Sequence, residues 1–112
     1  MIHSDDIPSI VSAATAFAAL GSEQRLLVLR TVVRAGPEGL RIGELGERCG
    51  ITGSTLTHHL KFLAQAGLVT QEKQGRSIIC TAAYDRAREL SEFLLSECCA
   101  DARNKHEGHK HG

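Results

Sequence analysis

The stretch ITGSTLTHHLKFLAQAGLVTQEKQGRSIICTA, residues 51–82, decides the fold of this chain. Its first half carries Leu56, Leu60 and Leu63 at the i, i+4, i+7 spacing of one helix face, and Gly67 ends that helix. Its second half contains two short β-like runs, LVTQEK and RSIICTA, joined by a Gln-Gly pair that is typical of a hairpin. The stretch therefore predicts a helix that runs directly into a β-hairpin.

Helical patterns flank this stretch on both sides. We expect a first helix capped by Ser4, with Pro8 in its first turn, and a second helix capped by Ser22. After the turn AGPEG, a short extended piece LRI leads into the helix GELGERCG, and Asp85 caps a last helix that continues to about Asp101. The order α-α-(β)-α-α-β-β-α defines a mainly α fold with a small β-hairpin, the winged helix-turn-helix.

The composition, 42% apolar and 23% charged over 112 residues, is typical of one folded domain. We place this domain at residues 1–101 and expect a homodimer, because so short a chain buries a modest core. Residues 102–112 form a polar tail that is expected to be disordered, and its histidines (His106, His109, His111) are more typical of adventitious zinc or nickel binding than of a site. Without a bilayer-spanning apolar run or a signal-peptide pattern, the expected location is cytoplasmic, with no membrane partner.

The net charge of zero conceals an uneven distribution. Residues 1–24 carry three acidic and no basic side chains, whereas residues 25–76 carry eight Lys or Arg against four acidic side chains. Residues 77–101 have a net charge of −3, and residues 102–112 carry +2. The basic surplus lies in the middle of the chain, which includes the helix and most of the hairpin of residues 51–82. Such a distribution fits a nucleic-acid-binding face, although a surplus of this size is also common on a solvated surface.

The helix of this stretch presents hydroxyls and longer hydrogen-bond donors on the side opposite its leucines. Such side chains suit phosphates and base edges in the major groove of double-stranded DNA. The DNA-binding residues expected on this helix are Ser54, Thr55, Thr57, His58, Lys61 and Gln65. Lys73 and Arg76 flank the hairpin tip, within reach of adjacent phosphates or the minor groove. His59 lies beside the leucines and is expected to be structural, and the competing interpretation of the whole face is a polar helix surface in water.

Two segments, LGSEQRLLVLRTV and IGELGERCGITGSTLTHHLKFLAQAGLV, followed by a hairpin, resemble the ArsR/SmtB family of bacterial metal-sensing repressors. The resemblance extends from about Leu20 to Tyr84, and its most specific piece is STLTHHLKFLAQAGLV. It implies a homodimer that binds operator DNA through its fourth helix and is released by an inducer. It further implies dimer contacts by the first and last helices, where the apolar candidates are Ile7, Ile10, Phe17, Leu90 and Leu94.

The inducer sites of two branches of that family are missing from this sequence. The arsenite sensors of the founding type carry a Cys-x-Cys at the start of the third helix, where this chain has Arg41 and Gly43. The zinc sensors place Asp and His ligands in the last helix, but the segment DRARELSEFLLSECCAD contains no histidine. The cysteines are therefore the remaining candidates for an inducer site.

Cys80, Cys98 and Cys99 resemble the arrangement in a branch of the family that binds trivalent arsenic, as arsenite or methylarsenite, through C-terminal cysteines. Thiolates suit this soft element, and a methylated arsenical offers two places for sulfur. On a continuous last helix Cys98 lies on the inward face with Cys99 beside it, so one of them with Cys80 forms the expected two-thiol site. Cys80 lies before the start of the last helix, and Cys98 is then about 20 Å further along it. Either the hairpin folds back along the helix of the same subunit, or the thiols come from two different subunits. A trivalent arsenic species is the expected inducer, with no organic cofactor.

Other interpretations stay open at this level. Unpaired cysteines are commonly small buried hydrophobic residues, and Cys49 in GERCG is interpreted in that way. A thiol–disulfide or sulfur-species sensor would instead pair Cys80 with Cys98 or Cys99. An enzyme is not expected, because Cys-x-x-Cys, HExxH and GxGxxG motifs are missing. A winged-helix adaptor for other proteins is a different class, and it would not need the basic residues of the helix and hairpin.

Overall fold

The computed structural model describes residues 8–105, so the expected cap Ser4, the candidate Ile7 and the tail histidines lie outside the described residues. The elements in chain order are α1 (Ile10–Ala19), α2 (Glu23–Ala35), β1 (Leu40–Arg41), α3 (Ile42–Cys49), α4 (Gly53–Gln65), β2 (Val69–Gln74), β3 (Ser77–Ala82), α5 (Tyr84–Leu95) and α6 (Ala100–Lys105). This order confirms the predicted winged helix-turn-helix, with α6 as an addition that passes the expected boundary at residue 101. No helix within residues 8–105 is long and apolar enough to cross a membrane.

The first helix begins later than the sequence pattern indicated. Ser9 is the N-cap of α1, where its Oγ accepts a hydrogen bond from the Ser12 N–H at 3.1 Å and so satisfies a first-turn donor that has no partner within the helix. Pro8 therefore precedes the helix, and its expected place in the first turn is wrong. The second predicted cap is confirmed, because Ser22 Oγ accepts from the Arg25 N–H at 3.3 Å.

The sheet has three antiparallel strands in the order β1-β3-β2. β2 and β3 form the predicted hairpin from Val69 opposite Ala82 to its tip at Gly75, which has a φ of +63°. β1 adds to the other side of β3, and this register places Cys80 opposite Leu40. The β2–β3 hairpin, which is the wing of this fold, is thus connected to the helices through β1, which leads directly into α3.

The core packs α2, α3 and α4 against this sheet. Leu56, Leu60 and Leu63 of α4 are at most 1% exposed, which confirms the face predicted from their spacing. Leu45 of α3 and Leu68, at the entrance to β2, are fully buried beside them. Because the leucine face is closely packed in the core, the rotation of α4 is fixed and its opposite face points toward solvent.

Helix α2 buries a different face from the one that its spacing indicated. The predicted inward residues were Leu26, Leu29 and Val33, but Leu26 is 42% exposed and Val33 is 38% exposed. Val28 and Val32 are fully buried instead, together with Leu29. Apolar residues occur at nearly every position of α2 between 26 and 33, so periodicity alone does not select a face.

The last long helix differs from the prediction at both ends. Its N-cap is Ala83, and Asp85 lies in the first turn, where its carboxylate accepts a hydrogen bond from Arg88 at 3.2 Å instead of capping the helix. The helix ends at Leu95 rather than near Asp101. The Ser96 hydroxyl donates to the Phe93 carbonyl at 3.0 Å, and this local bond competes with continuation of the helix. The adjacent cysteines therefore lie in a turn.

Candidate nucleic-acid interface and thiol pair

The outward face of α4 presents to solvent all six DNA-contacting side chains that were predicted on this helix. Leu56, Leu60 and Leu63 fix the rotation of the helix, and the opposite side carries hydroxyl, imidazole, ammonium and amide groups. The exposed residues are Ser54, Thr55, Thr57, His58, Lys61 and Gln65. Thr57 Oγ1 donates to the Gly53 carbonyl at 2.9 Å, which leaves its lone pairs available as acceptors. This face combines hydrogen-bond donors and acceptors of several lengths, as recognition of phosphates and base edges requires.

His59 is a structural residue of α4, as expected. Its side chain is only 8% exposed, and its Nε2 donates to Gln24 Oε1 on α2 at 2.8 Å, since that amide oxygen is an acceptor. The Arg25 guanidinium lies 4.5 Å from the centre of the Phe62 ring, a second contact between α2 and α4. Burial, followed by the charges of Arg25 and His58, lowers the pKa of His59 below its usual value. A neutral His59 therefore ties α4 to α2.

The wing tip carries two exposed basic side chains. Lys73 and Arg76 lie on either side of Gly75, and neither takes part in an ion pair among residues 8–105. Arg76 also lines an open cleft of about 620 Å³ with Arg41, the N-cap of α3, and this cleft separates the wing from α3. The sequence reasoning missed Arg41 as a basic residue of this face. Its position at the end of β1, directly before α3, becomes evident only from the strand pairing.

Cys98 and Cys99 are brought together, whereas Cys80 is not. The sulfur atoms of Cys98 and Cys99 lie 3.4 Å apart, both residues are exposed, and Cys99 adopts a φ of +62°. Cys80 is fully buried in the central strand, and burial raises the pKa of its thiol. Within residues 8–105 no group of three or more His, Cys, Asp or Glu side chains is arranged to hold a metal ion. The expected inward position of Cys98 is therefore wrong, because the helix ends before it.

The fourth cysteine belongs to the packing between α2 and α3. Cys49 is half-buried, and its Sγ donates a weak hydrogen bond to Thr31 Oγ1 at 3.5 Å. This environment agrees with its interpretation as a packing residue.

The predicted dimer residues differ in their exposure. Ile10 of α1 and Leu94 of α5 are 71% and 66% exposed, and their neighbours Val11 and Leu95 are 73% and 69% exposed. Leu90 is only 3% exposed, because it belongs to the core of this chain. The remaining candidates are Phe17, which is half-buried against the core, and Ile7, which lies outside the described residues. Exposed apolar side chains thus lie at the start of α1 and at the end of α5.

Comparisons with known proteins agree with this geometry. A family model described as a helix-turn-helix domain matches residues 20–72. An uncharacterized HTH-type transcriptional regulator of Bacillus subtilis, YceK, is 42% identical over 64 residues, which are 57% of this chain and 63% of that protein, so the chain spans less than two thirds of this relative. The arsenical resistance operon repressor of Bacillus subtilis is 32% identical over 93 residues, which are 82% of this chain and 83% of that protein.

Solved structures show the same fold. An ArsR-like transcriptional regulator from Rhodococcus sp. RHA1 has a TM-score of 0.67 at 24% identity and covers 85% of this chain and 86% of its own. A homodimeric winged helix-turn-helix DNA-binding domain from Mycobacterium bovis has a TM-score of 0.62 at 21% identity, with coverage of 92% and 90%. The fold, the matched helix-turn-helix domain and the arsenical resistance operon repressor relative define the class of winged helix-turn-helix DNA-binding transcriptional regulators, which are not enzymes. Within that class, the chain belongs to the ArsR/SmtB family.

Proposed function

We propose that this chain acts as a homodimeric repressor that binds operator DNA and is released by a trivalent arsenical bound at Cys98 and Cys99. The observation that carries the inducer assignment is the 3.4 Å separation of two exposed sulfur atoms in the turn after α5. The Bacillus subtilis relative, named for arsenical resistance, supports the chemical class of this inducer.

The support for DNA binding is the charge and the composition of one surface. The donors on α4 and the basic side chains of Lys73 and Arg76 are exposed together, and the core holds the helix that carries the donors. In a helix-turn-helix protein, the second helix enters the major groove while basic side chains beside it contact phosphates. The phosphate contacts supply affinity, and the contacts of α4 supply sequence preference.

The support for a homodimer is the exposed apolar surface at the two ends of the chain. Ile10 and Leu94 are more than half exposed in the single chain, although neither has a role in the DNA-facing surface. A symmetric pair buries such patches on both subunits at once and presents two copies of α4 to the two halves of an operator. The homodimeric Mycobacterium bovis domain provides a precedent with this fold.

The support for an arsenical is the chemistry of the thiol pair. A monomethyl arsenical, CH₃As(OH)₂, forms two As–S bonds with two thiols and releases two water molecules, without any change of oxidation state. Cys98 and Cys99 supply two neighbouring sulfurs, and soft thiolates favour this element. Arsenite accepts three sulfurs, and a third from Cys80 requires that this fully buried thiol leave the core. We therefore expect methylarsenite to be the better inducer.

A thiol–disulfide switch is the second candidate, and the same sulfur separation supports it. Hydrogen peroxide would oxidise Cys98 and Cys99 to a disulfide and be reduced to two water molecules. Adjacent cysteines close such a ring only with strain, so this candidate ranks second.

The experiment is fluorescence anisotropy of the reduced protein on a duplex from upstream of its own gene, titrated in parallel with methylarsenite, arsenite and hydrogen peroxide. We expect release by methylarsenite near one equivalent per subunit, and loss of this response in a Cys98→Ser/Cys99→Ser double variant. Cys49→Ser is the matched control and should respond like the wild type. Firm DNA binding that no compound disturbs would refute the inducer, and failure to bind the duplex would refute the repressor.

The role of Cys80 is tested in the same assay. Cys80→Ala should leave the response to methylarsenite intact and weaken the response to arsenite. Loss of the responses to both compounds, in a variant that still binds DNA, would indicate that Cys80 is an essential ligand of both methylarsenite and arsenite.

A further inference from the structure

Arg86, in the first turn of α5, forms hydrogen bonds to two other helical elements at once. Its Nε donates to the carbonyl of Ala66, the C-cap residue of α4, at 3.3 Å. Its Nη2 donates to the carbonyl and to the hydroxyl of Ser12 on α1, at 3.2 Å and 2.8 Å. The side chain is only 19% exposed, and its ion pair with Glu89 is long, at 3.9 Å. One guanidinium thus connects α1, α4 and α5.

The contact with α4 is made where a cation is most effective. The last carbonyls of a helix have no partner within the helix, and they carry the negative end of its dipole. The last turn of α4 contains no basic residue of its own, so Arg86 supplies the cation from another helix. The next residue, Gly67, has a φ of +76°, and a Cβ at that position would be in van der Waals contact with Arg86 Nε, at 3.8 Å. The end of the recognition helix therefore packs closely against this side chain.

We propose that Arg86 is the positioning residue that fixes α4 relative to α1 and α5, and hence fixes the spacing of the two α4 helices in the dimer. This inference rests on the proposed function, since α1 and α5 carry the exposed apolar patches assigned to the dimer interface. The two half-sites of an operator are separated by about one helical turn, 34–36 Å, and both α4 helices must dock together. Loss of Arg86 leaves the surface of each α4 intact but lets its distance from the dimer axis vary.

The prediction is a selective loss of binding to paired half-sites. Arg86→Gln removes the charge and most of the hydrogen bonds to Ser12 and Ala66, and its affinity for a duplex with two half-sites should fall about tenfold. Its affinity for a duplex with one half-site should stay within a factor of two of the wild type. A purely structural role would not distinguish the two duplexes, since a loosened fold weakens both.

Arg88→Gln is the matched control, because Arg88 lies on the same helix, is 64% exposed and pairs only locally with Asp85 at 3.2 Å. It should bind both duplexes like the wild type. Arg86→Lys retains the charge without the planar fork and should give an intermediate loss on paired half-sites. If Arg86→Gln does not fold by circular dichroism, Ser12→Ala replaces it, since that change removes a single acceptor of Arg86 on α1.

The outcomes separate the two proposals. Equal losses on both duplexes, or no loss on either, would overturn the positioning role while the repressor assignment stands. Failure of the wild type to bind the paired half-sites would overturn both. A loss confined to paired half-sites, absent in Arg88→Gln, supports the positioning role.

Discussion

Gly39 allows the chain to enter β1 in close contact with the central strand of the wing. It has a φ of +73°, and a Cβ at this position would overlap the carbonyl oxygen of Cys80 and lie 2.7 Å from Thr81 Oγ1. Gly36, on the same turn, has a φ of +89° but nothing within 4 Å of the added carbon. The two glycines therefore share the backbone requirement, and only Gly39 has the steric one.

Replacing each glycine by alanine separates the two costs. Gly36→Ala carries only the cost of a positive φ, about 1–3 kcal/mol. Gly39→Ala carries a cost of this kind and must also displace the two residues of β1 from β3, at about 1 kcal/mol for each of about two hydrogen bonds lost, so its total is about 3–5 kcal/mol.

Urea unfolding of both variants measures this difference as a shift in midpoint at constant slope. Free energies of unfolding that agree within about 0.5 kcal/mol would refute the argument, because the contact with β3 would then contribute nothing.

Three further predictions address the recognition helix. Burial and the charges of Arg25 and His58 lower the pKa of His59 below its usual 6.5, so the unfolded chain binds a proton more readily than the folded state does. The free energy of unfolding should therefore be highest above pH 6.5, and it should fall as the pH drops through 6.5 toward the folded pKa. His59→Gln should flatten this dependence in urea unfolding, and an unchanged slope would contradict the assignment. Leu60→Ala should cost about 2–5 kcal/mol in the same assay, since Leu60 is fully buried, whereas a loss below about 1 kcal/mol would contradict its core position. Lys61→Ala should weaken binding to all DNA sequences and reduce the slope of log K against log salt by about 1, and an unchanged slope would exclude a phosphate contact.

The parts of the fold that were predictable are those with one dominant pattern. The leucines of α4 recur at a single helical spacing, and the hairpin is marked by a Gln-Gly turn between β-like runs. The start of α1 was not decided in this way, because Ser4 and Ser9 are both good caps. The end of α5 was missed because the Ser96 hydroxyl bond and the positive φ of Cys99 are local events that apolar periodicity does not register.

The site was predictable where it depends on one element and not where it depends on several. The exposure of the proposed DNA-contacting residues follows from the face of α4 that the leucines leave outside. Arg86 contacts Ala66, which is 20 positions away in sequence, and Ser12, which is 74 positions away, and no local pattern links these residues. The burial of Cys80 was only one of the open interpretations, because a short β-like run does not reveal which of its side chains face the core.

The turn that carries the cysteine pair has a consequence for how this regulator can change. Residues 96–99, which form this turn, are all exposed, so none of them contributes to the core, and substitutions at such positions usually alter stability by less than about 0.5 kcal/mol. Under the inducer site proposed at Cys98 and Cys99, the ligand set of the turn can therefore be exchanged while α4, the β2–β3 hairpin and their packing are conserved. Under the same proposal, sensor engineering and natural divergence would both acquire a new inducer by changing a few surface positions on an unchanged DNA-binding scaffold.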